Sequence, residues 1–374
     1  MVKSKKFFSG LALLGLVGTS TMLAGCGSDN AVKDDSSSKG SSEATQEEKS
    51  DLSGSLAGAG ASSQEAAMNA WMAQYMQKNP DVTVTYDAVG SGAGITQFTD
   101  GQVLWAGSDA ALEGDEVKKA KDRCGADAMN LPVYVSPVAV IFKLPDIKEL
   151  NIDPTTLAKI FSGEITQWDD PAIKEANPDV DLPKTKITPV HRADKSGTTE
   201  NFTDYLHKAA PDAWPHDPSK SWPMEGGESG DKTAGVVQAV TQGEGTIGYA
   251  DASQAGDLGT VALKAGDSFV KFSNEAAAKA LDSAEPADSG VEGDHALEIS
   301  RTPKDSGAYP LILVSYSVVC SQYPQKEADL VKSFINFQIS KEGQEAAAKS
   351  AGSAPISDTL RSELEKSLEA IQTK

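Results

Sequence analysis

The chain is poor in the residues that most often carry chemistry. It has three cysteines and four histidines in 374 residues, and aromatic residues make up 6%. His191, His207, His216 and His295 fall at no paired spacing, so no histidine metal site is expected. Basic residues are outnumbered, 34 Lys+Arg against 54 Asp+Glu, for a formal charge of −20. A surface that grips nucleic acid needs a Lys/Arg patch, so nucleic acid is excluded as the main partner. The same field argument weighs against any anionic ligand. There is no Gly-x-Ser-x-Gly elbow and no Walker A loop, and Gly90, Gly92 and Gly94 lack the dinucleotide spacing. An enzyme therefore finds little support, and no cofactor is expected. No repeat of fixed period is present, nor an unbroken apolar run of the ~20 residues that span a membrane.

The nearest approach to such a run is Phe7 to Val17, which follows Lys3, Lys5 and Lys6 and precedes Leu23-Ala24-Gly25-Cys26. A basic start, a short apolar core and a small-residue site predict a secretory signal peptide over 1–25. Leu-Ala-Gly-Cys looks like a bacterial lipobox, which implies a lipid on Cys26 and a membrane anchor there. Cleavage removes three lysines and no acids, leaving the remainder three charges more negative than −20. Residues 26–50 then read as a Ser-rich tether, too poor in apolar side chains to order itself. Cys124 and Cys320 remain. In an exported protein they are a candidate disulfide, with closure entropy of up to roughly 5 kcal/mol. Two buried free thiols are the alternative.

From residue 52 strand and helix signals alternate. Short strands are predicted at 52–56, 82–86, 103–106, 186–191 and 246–249, and long buried ones at 133–142 and 310–319. Helices are predicted around 67–75, after the 90–94 loop, at 155–161, 198–208 and 233–241, near 326–349, and at 358–371. This alternation implies an α/β fold with parallel-rich sheets and helices on both faces, and the length favours two domains. Three strand ends share one chemistry: Gly60-Ala61-Ser62-Ser63, Gly90-Ser91-Gly92-Ala93-Gly94 and Lys195-Ser196-Gly197-Thr198-Thr199 each lead into a helix. Glycines let backbone N–H groups approach a ligand, hydroxyls add donors, and the helix start adds partial positive charge. Together they make an anion cradle. Singly, a Ser or Thr there is more often only an N-cap, and Ser108-Asp109 has the same bland reading. Arg192 can offer a planar donor fork; the alternative is a surface arginine paired with Asp194. His191 beside it reads as structural.

These segments, in this order, resemble a known family. Gly58-Ala59-Gly60-Ala61-Ser62, Gly90-Ser91-Gly92-Ala93-Gly94, Ala106-Gly107-Ser108-Asp109 and Arg192-Ala193-Asp194-Lys195-Ser196-Gly197-Thr198-Thr199 carry the likeness. Phe161-Ser162-Gly163-Glu164-Ile165 with Trp168-Asp169-Asp170-Pro171 extends it. The chain is similar to the substrate-binding lipoproteins of phosphate-specific ABC transporters. The resemblance implies a periplasmic-binding-protein-like fold of two α/β lobes with mainly parallel sheets, joined by crossover strands near 131–137 and 306–312. Lobe I would take 52–133 and 311–374, lobe II 134–310, with the ligand in the cleft. It implies inorganic phosphate as ligand, and permease subunits with their cytoplasmic ATPase as partners of a monomer on the outer face of the membrane. Carried over by position, the phosphate site is Ser62, Ser63, Ser91, Asp109, Arg192, Ser196, Gly197 and Thr198, with Asp194 orienting Arg192. Members often carry an aromatic or apolar residue where this chain has Ser63, so which hydroxyl of Ser62 and Ser63 donates stays open.

The residues suit that ligand physically. A dry cleft must replace an anion's hydration with fixed donors, each worth roughly 1.5–3 kcal/mol to a charged acceptor. Distant surface carboxylates barely reach a buried site, because the Debye length is about 8 Å. Asp109 would accept the proton that phosphate carries and sulfate lacks. Sulfate or molybdate binding is the runner-up reading, and a phosphatase on a similar shell is the enzymatic one.

Overall fold

The computed structural model describes residues 52–304 and 307–374. The expected signal peptide, Cys26 and the tether lie outside the described residues. The first strand β1 (Gly54–Gly60) leads into α1 (Glu65–Lys78), β2 (Val82–Asp87), α2 (Ser91–Thr99), β3 (Trp105–Ser108) and α3 (Asp115–Cys124). The long β4 (Ala128–Phe142) is followed by β5 (Glu149–Ile152), α4 (Pro154–Phe161), α5 (Pro171–Ala176), β6 (Thr188–Arg192) and α6 (Gly197–Ala209). Next come β7 (Glu228–Gly230), α7 (Lys232–Gln242), β8 (Thr246–Asp251), β9 (Gly259–Ala265), β10 (Ser268–Val270) and α8 (Asn274–Leu281). A small pair, β11 (Glu285–Pro286) and β12 (Leu297–Glu298), precedes β13 (Ile312–Cys320) and β14 (Gln322–Tyr323). Helices α9 (Gln325–Ile339), α10 (Lys341–Ala351) and α11 (Asp358–Glu369) follow, then β15 (Gln372–Thr373).

Local chemistry accounts for these boundaries. Helix α1 buries Ala67, Met68, Trp71 and Tyr75 along one stripe, and the Trp71 indole donates to Gly343 O at 2.7 Å. Asp153 caps α4 through the N–H groups of Thr155 and Thr156, with Pro154 in its first turn. The helix expected over 326–349 is two helices. Ser340 has extended backbone there, and its hydroxyl accepts from Gly343 N at 3.0 Å, capping α10. Helix α2 begins inside the expected glycine loop. Strand β4 starts before the expected residue 133, and every residue after its first is buried.

Among the described residues an 11-stranded sheet has the backbone order β2-β1-β3-β13-β4-β8-β6-β7, with β9 on β4 and both β5 and β10 on β9. Pairs β1/β2, β1/β3, β6/β8, β6/β7 and β5/β9 are parallel. Strand β13 is antiparallel to both β3 and β4, as β4 is to β8 and β9. The parallel βα units on either side deliver the C-terminal ends of β1, β3 and β6, each followed by a loop, toward one region, where α/β sheets place ligands. The sulfurs of Cys124 and Cys320 are bonded, with Cα atoms 5.5 Å apart. That tie joins the end of α3 to the end of β13.

Candidate functional site

At the end of β1 the chain must pass close to β3. Gly60 has φ 154°, and a Cβ there would sit 1.9 Å from Gly107 O. Only glycine fits, and it turns Ser62 and Ser63 inward; both are buried. At the far side Gly197 opens α6 against Asp109. A Cβ on it would lie 2.8 Å from both Asp109 Cβ and Ser91 Oγ. The start of α2 also meets the loop before α6 directly, since Gly92 N donates to Lys195 O at 3.1 Å.

Asp109 lies at the centre of this region and is 3% exposed. Its Oδ1 accepts from Ser63 Oγ at 2.6 Å and from Ser315 Oγ at 2.8 Å, and its Oδ2 from Thr198 Oγ1 at 2.9 Å. Its backbone N–H donates to Ser91 Oγ at 3.2 Å, and its carbonyl accepts from Asn201 at 2.7 Å. Burial raises its pKa above the usual aspartate value; the hydroxyls of Ser63, Ser315 and Thr198 and the charge of Arg192 oppose that rise. The helix after it begins only at Asp115, with Gly114 at the cap position. The capping alternative for Asp109 therefore fails.

Arg192 is not a surface arginine: it is 3% exposed. Asp194 grips it through Oδ1 to Nε at 2.7 Å and Oδ2 to Nη2 at 2.5 Å. Burial raises the Asp194 pKa, but the hydrogen bonds and charge of Arg192 and the Lys232 N–H hold it below the ordinary value. So braced, Arg192 extends Nη2 to Ser62 Oγ at 3.3 Å and Nη1 toward Thr233 Oγ1 at 3.5 Å. Ser62 Oγ also takes Thr233 N at 3.1 Å. Ser196 keeps its capping part, accepting from Thr199 N at 3.2 Å, which leaves its hydroxyl hydrogen free to donate elsewhere. His191 stacks on Trp222 with ring centroids 5.0 Å apart, a structural contact.

The expected set of Ser62, Ser63, Ser91, Asp109, Arg192, Ser196, Gly197 and Thr198 thus comes together, with Asp194 behind Arg192. Three residues at the site lie outside that set. Thr233 opens α7 after Gly230-Asp231, a fourth strand-to-helix junction with the same signal as the other three. Ser315 sits mid-strand in β13, and Gln64 donates to it at 2.7 Å. Neither has a sequence cue. No group of three or more His, Cys, Asp or Glu side chains arranged to hold a metal occurs among the described residues.

Residues 44–342 match the family model of the PBP superfamily domain. Phosphate-binding protein PstS 3 of Mycobacterium tuberculosis is 36% identical over 371 residues, covering 97% of this chain and 98% of that protein. The chain belongs to the PstS family of phosphate-binding proteins. PstS 2 of the same organism is 33% identical over 325 residues, 84% of this chain and 87% of that one. A crystal structure of a phosphate-binding protein from Stenotrophomonas maltophilia aligns with TM-score 0.62 at 18% identity, covering 84% of this chain and 94% of that chain. At that identity the likeness speaks for the fold, which is that of the periplasmic binding proteins.

Proposed function

We propose that the chain is an extracellular solute-binding protein that captures inorganic phosphate and passes it to the permease of an ABC importer. One observation carries this reading: a buried guanidinium and several hydroxyls, with the starts of α1, α2, α6 and α7 around them, surround one buried carboxylate. Helix N-termini and an arginine fork favour an oxyanion. Asp109 then requires that the oxyanion bring a proton. Hydrogen phosphate does so near neutral pH; sulfate does not. Family membership supports the same ligand, since the relatives are named for phosphate.

On this reading the site binds and releases without chemistry, and the protein is a monomer rather than an enzyme. Residues 52–133 with 311–374, and 134–310, act as two lobes that close on the ligand. The pairing supports that division, because β1, β2, β3 and β13 join one another, β6 and β7 lie beyond β8, β5 and β10 hang on β9 beside β4, and β4 runs through both sets. Lys220 Nζ lies 2.6 Å from Glu116 and 3.8 Å from Glu200, an ion pair across the division that closure would make. A lipid on Cys26 would keep the protein beside its permease. Isothermal calorimetry of the purified protein with phosphate, arsenate and sulfate tests the reading. Phosphate and arsenate should bind and sulfate should not; equal heats for sulfate, or none for phosphate, would overturn it.

A further inference from the structure

Asp109 takes three hydroxyl donors, and one of them is arranged from behind. An ionised carboxylate only accepts, with about two lone-pair positions on each oxygen. Ser63 and Ser315 both donate to Oδ1, at 2.6 and 2.8 Å, while Oδ2 receives Thr198 at 2.9 Å. Oδ1 is therefore full and Oδ2 has one position left. Ser315 has a single hydrogen, and ionised Asp109 takes it. Its lone pairs then face the Gln64 amide, whose Nε2 lies 2.7 Å away. That contact fixes the amide's orientation, N–H end toward Ser315. The opposite end, Gln64 Oε1, is buried without a hydrogen-bond partner among the described residues. The fold tolerates an unsatisfied carbonyl while the N–H meets Ser315.

We propose that Ser315, held by Gln64, is a positioning residue that sets oxyanion specificity by committing Oδ1 of Asp109 to accept and leaving only Oδ2 for the proton of the ligand. The proposal rests on the phosphate reading above. Its force lies in the alternative state of Asp109. A protonated Asp109 is itself a donor, and a donor welcomes the fully deprotonated anion that the site should exclude. Each hydroxyl that donates to the carboxylate works against that state. Ser63 and Thr198 stand beside the ligand-facing loops, whereas Ser315 lies on β13, outside them. Its effect is exerted through Asp109 alone.

The charge of Arg192 on β6 acts on Asp109, and the charge of Asp109 in turn reaches Tyr86 on β2 and Asp251 on β8; across a shared cavity lie Glu113, Glu200, Asp204, Lys208, Glu298 and Arg301. Substituting Ser315 leaves all of them in place. Loss of its hydroxyl removes a donor that holds the Asp109 pKa down, so Asp109 protonates at a higher pH in the variant.

The test is phosphate and sulfate calorimetry on the full-length protein from about pH 5 to about pH 8, for wild type, Ser315→Ala and Ser315→Thr. In Ser315→Ala sulfate should gain access as the pH falls, at a pH about one unit above that of wild type, a tenfold effect at fixed pH. Ser315→Thr, which keeps the hydroxyl, should restore the wild-type profile. A melting curve accompanies each variant. If Ser315→Ala does not fold, Ser315→Cys, which keeps the volume and donates weakly, carries the same expectation. A folded variant lacking the hydroxyl whose sulfate profile matches wild type at every pH overturns the proposal. A wild type that binds no phosphate overturns the reading beneath it instead.

Discussion

Asp251 offers a test of how burial and protonation are linked in this fold. It ends β8, is fully buried, and accepts from Ser253 N at 3.0 Å, Ser253 Oγ at 2.6 Å and Tyr134 OH at 3.2 Å. Burial pushes its pKa up to about 7 from 3.8; the hydroxyls of Ser253 and Ser136 restrain the rise and the charge of Asp109 adds to it. Because the folded value lies above the unfolded one, the folded state keeps a proton that the unfolded chain has shed. The stabilisation is complete below about pH 4 and lost as the pH climbs to about 7. Roughly three units at about 1.4 kcal/mol each make a loss of about 4 kcal/mol across that window. Asp251→Asn is neutral throughout, and its carboxamide oxygen can still accept from Ser253. Its stability relative to wild type should therefore rise between about pH 4 and pH 7 and level off above. In melting temperature that is on the order of 10 °C. Thermal melts of both proteins in matched buffers measure the difference, in which the titration of groups not coupled to Asp251 cancels. A difference that does not vary with pH would show that Asp251 titrates alike in the folded and unfolded chain, and the reasoning from burial would fail.

Asp109→Asn should admit sulfate. Two negative charges about 4 Å apart at an effective dielectric of 20 repel by about 4 kcal/mol, so the ratio of phosphate to sulfate affinity should fall roughly a thousandfold. Unchanged exclusion in a competition titration would mean that another group selects. Arg192→Ala removes the guanidinium that meets Ser62, and phosphate affinity should drop at least about tenfold by calorimetry; an unchanged constant would remove Arg192 from the site. Cys124→Ser with Cys320→Ser opens a loop closed across 196 positions, worth about 5 kcal/mol in the chain-entropy model. Chemical denaturation should show a clear loss, and a midpoint equal to that of wild type would contradict the model.

Much of the site is legible in the sequence because its chemistry is written at strand ends. Glycine followed by Ser or Thr at a strand-to-helix junction is a local pattern, and it marks Ser62, Ser91, Ser196 and Thr198 from residue order alone. Ser315 and Gln64 are not legible, for a different reason in each case. Ser315 interrupts an apolar run and reads as any polar residue of a buried strand; only the pairing of β13 with β3 carries it beside Asp109. Gln64 reads as an ordinary residue entering a helix. In the fold, α3 leaves little signal because it buries only Ala120 and Cys124 and shows no apolar stripe. The break at Ser340 is hidden because helical residues flank a serine whose capping bond is visible only in three dimensions. The charge balance misleads about the ligand, since the acids that dominate it are mostly exposed while Arg192 is buried.

The place of β13 between β3 and β4 has a consequence in time rather than in space. Synthesis delivers residues 105–142 well before 312–320, so the two strands that flank β13 emerge with facing edges open. Open strand edges are templates for pairing with other chains. Completion of this sheet therefore waits for the last part of the chain to arrive.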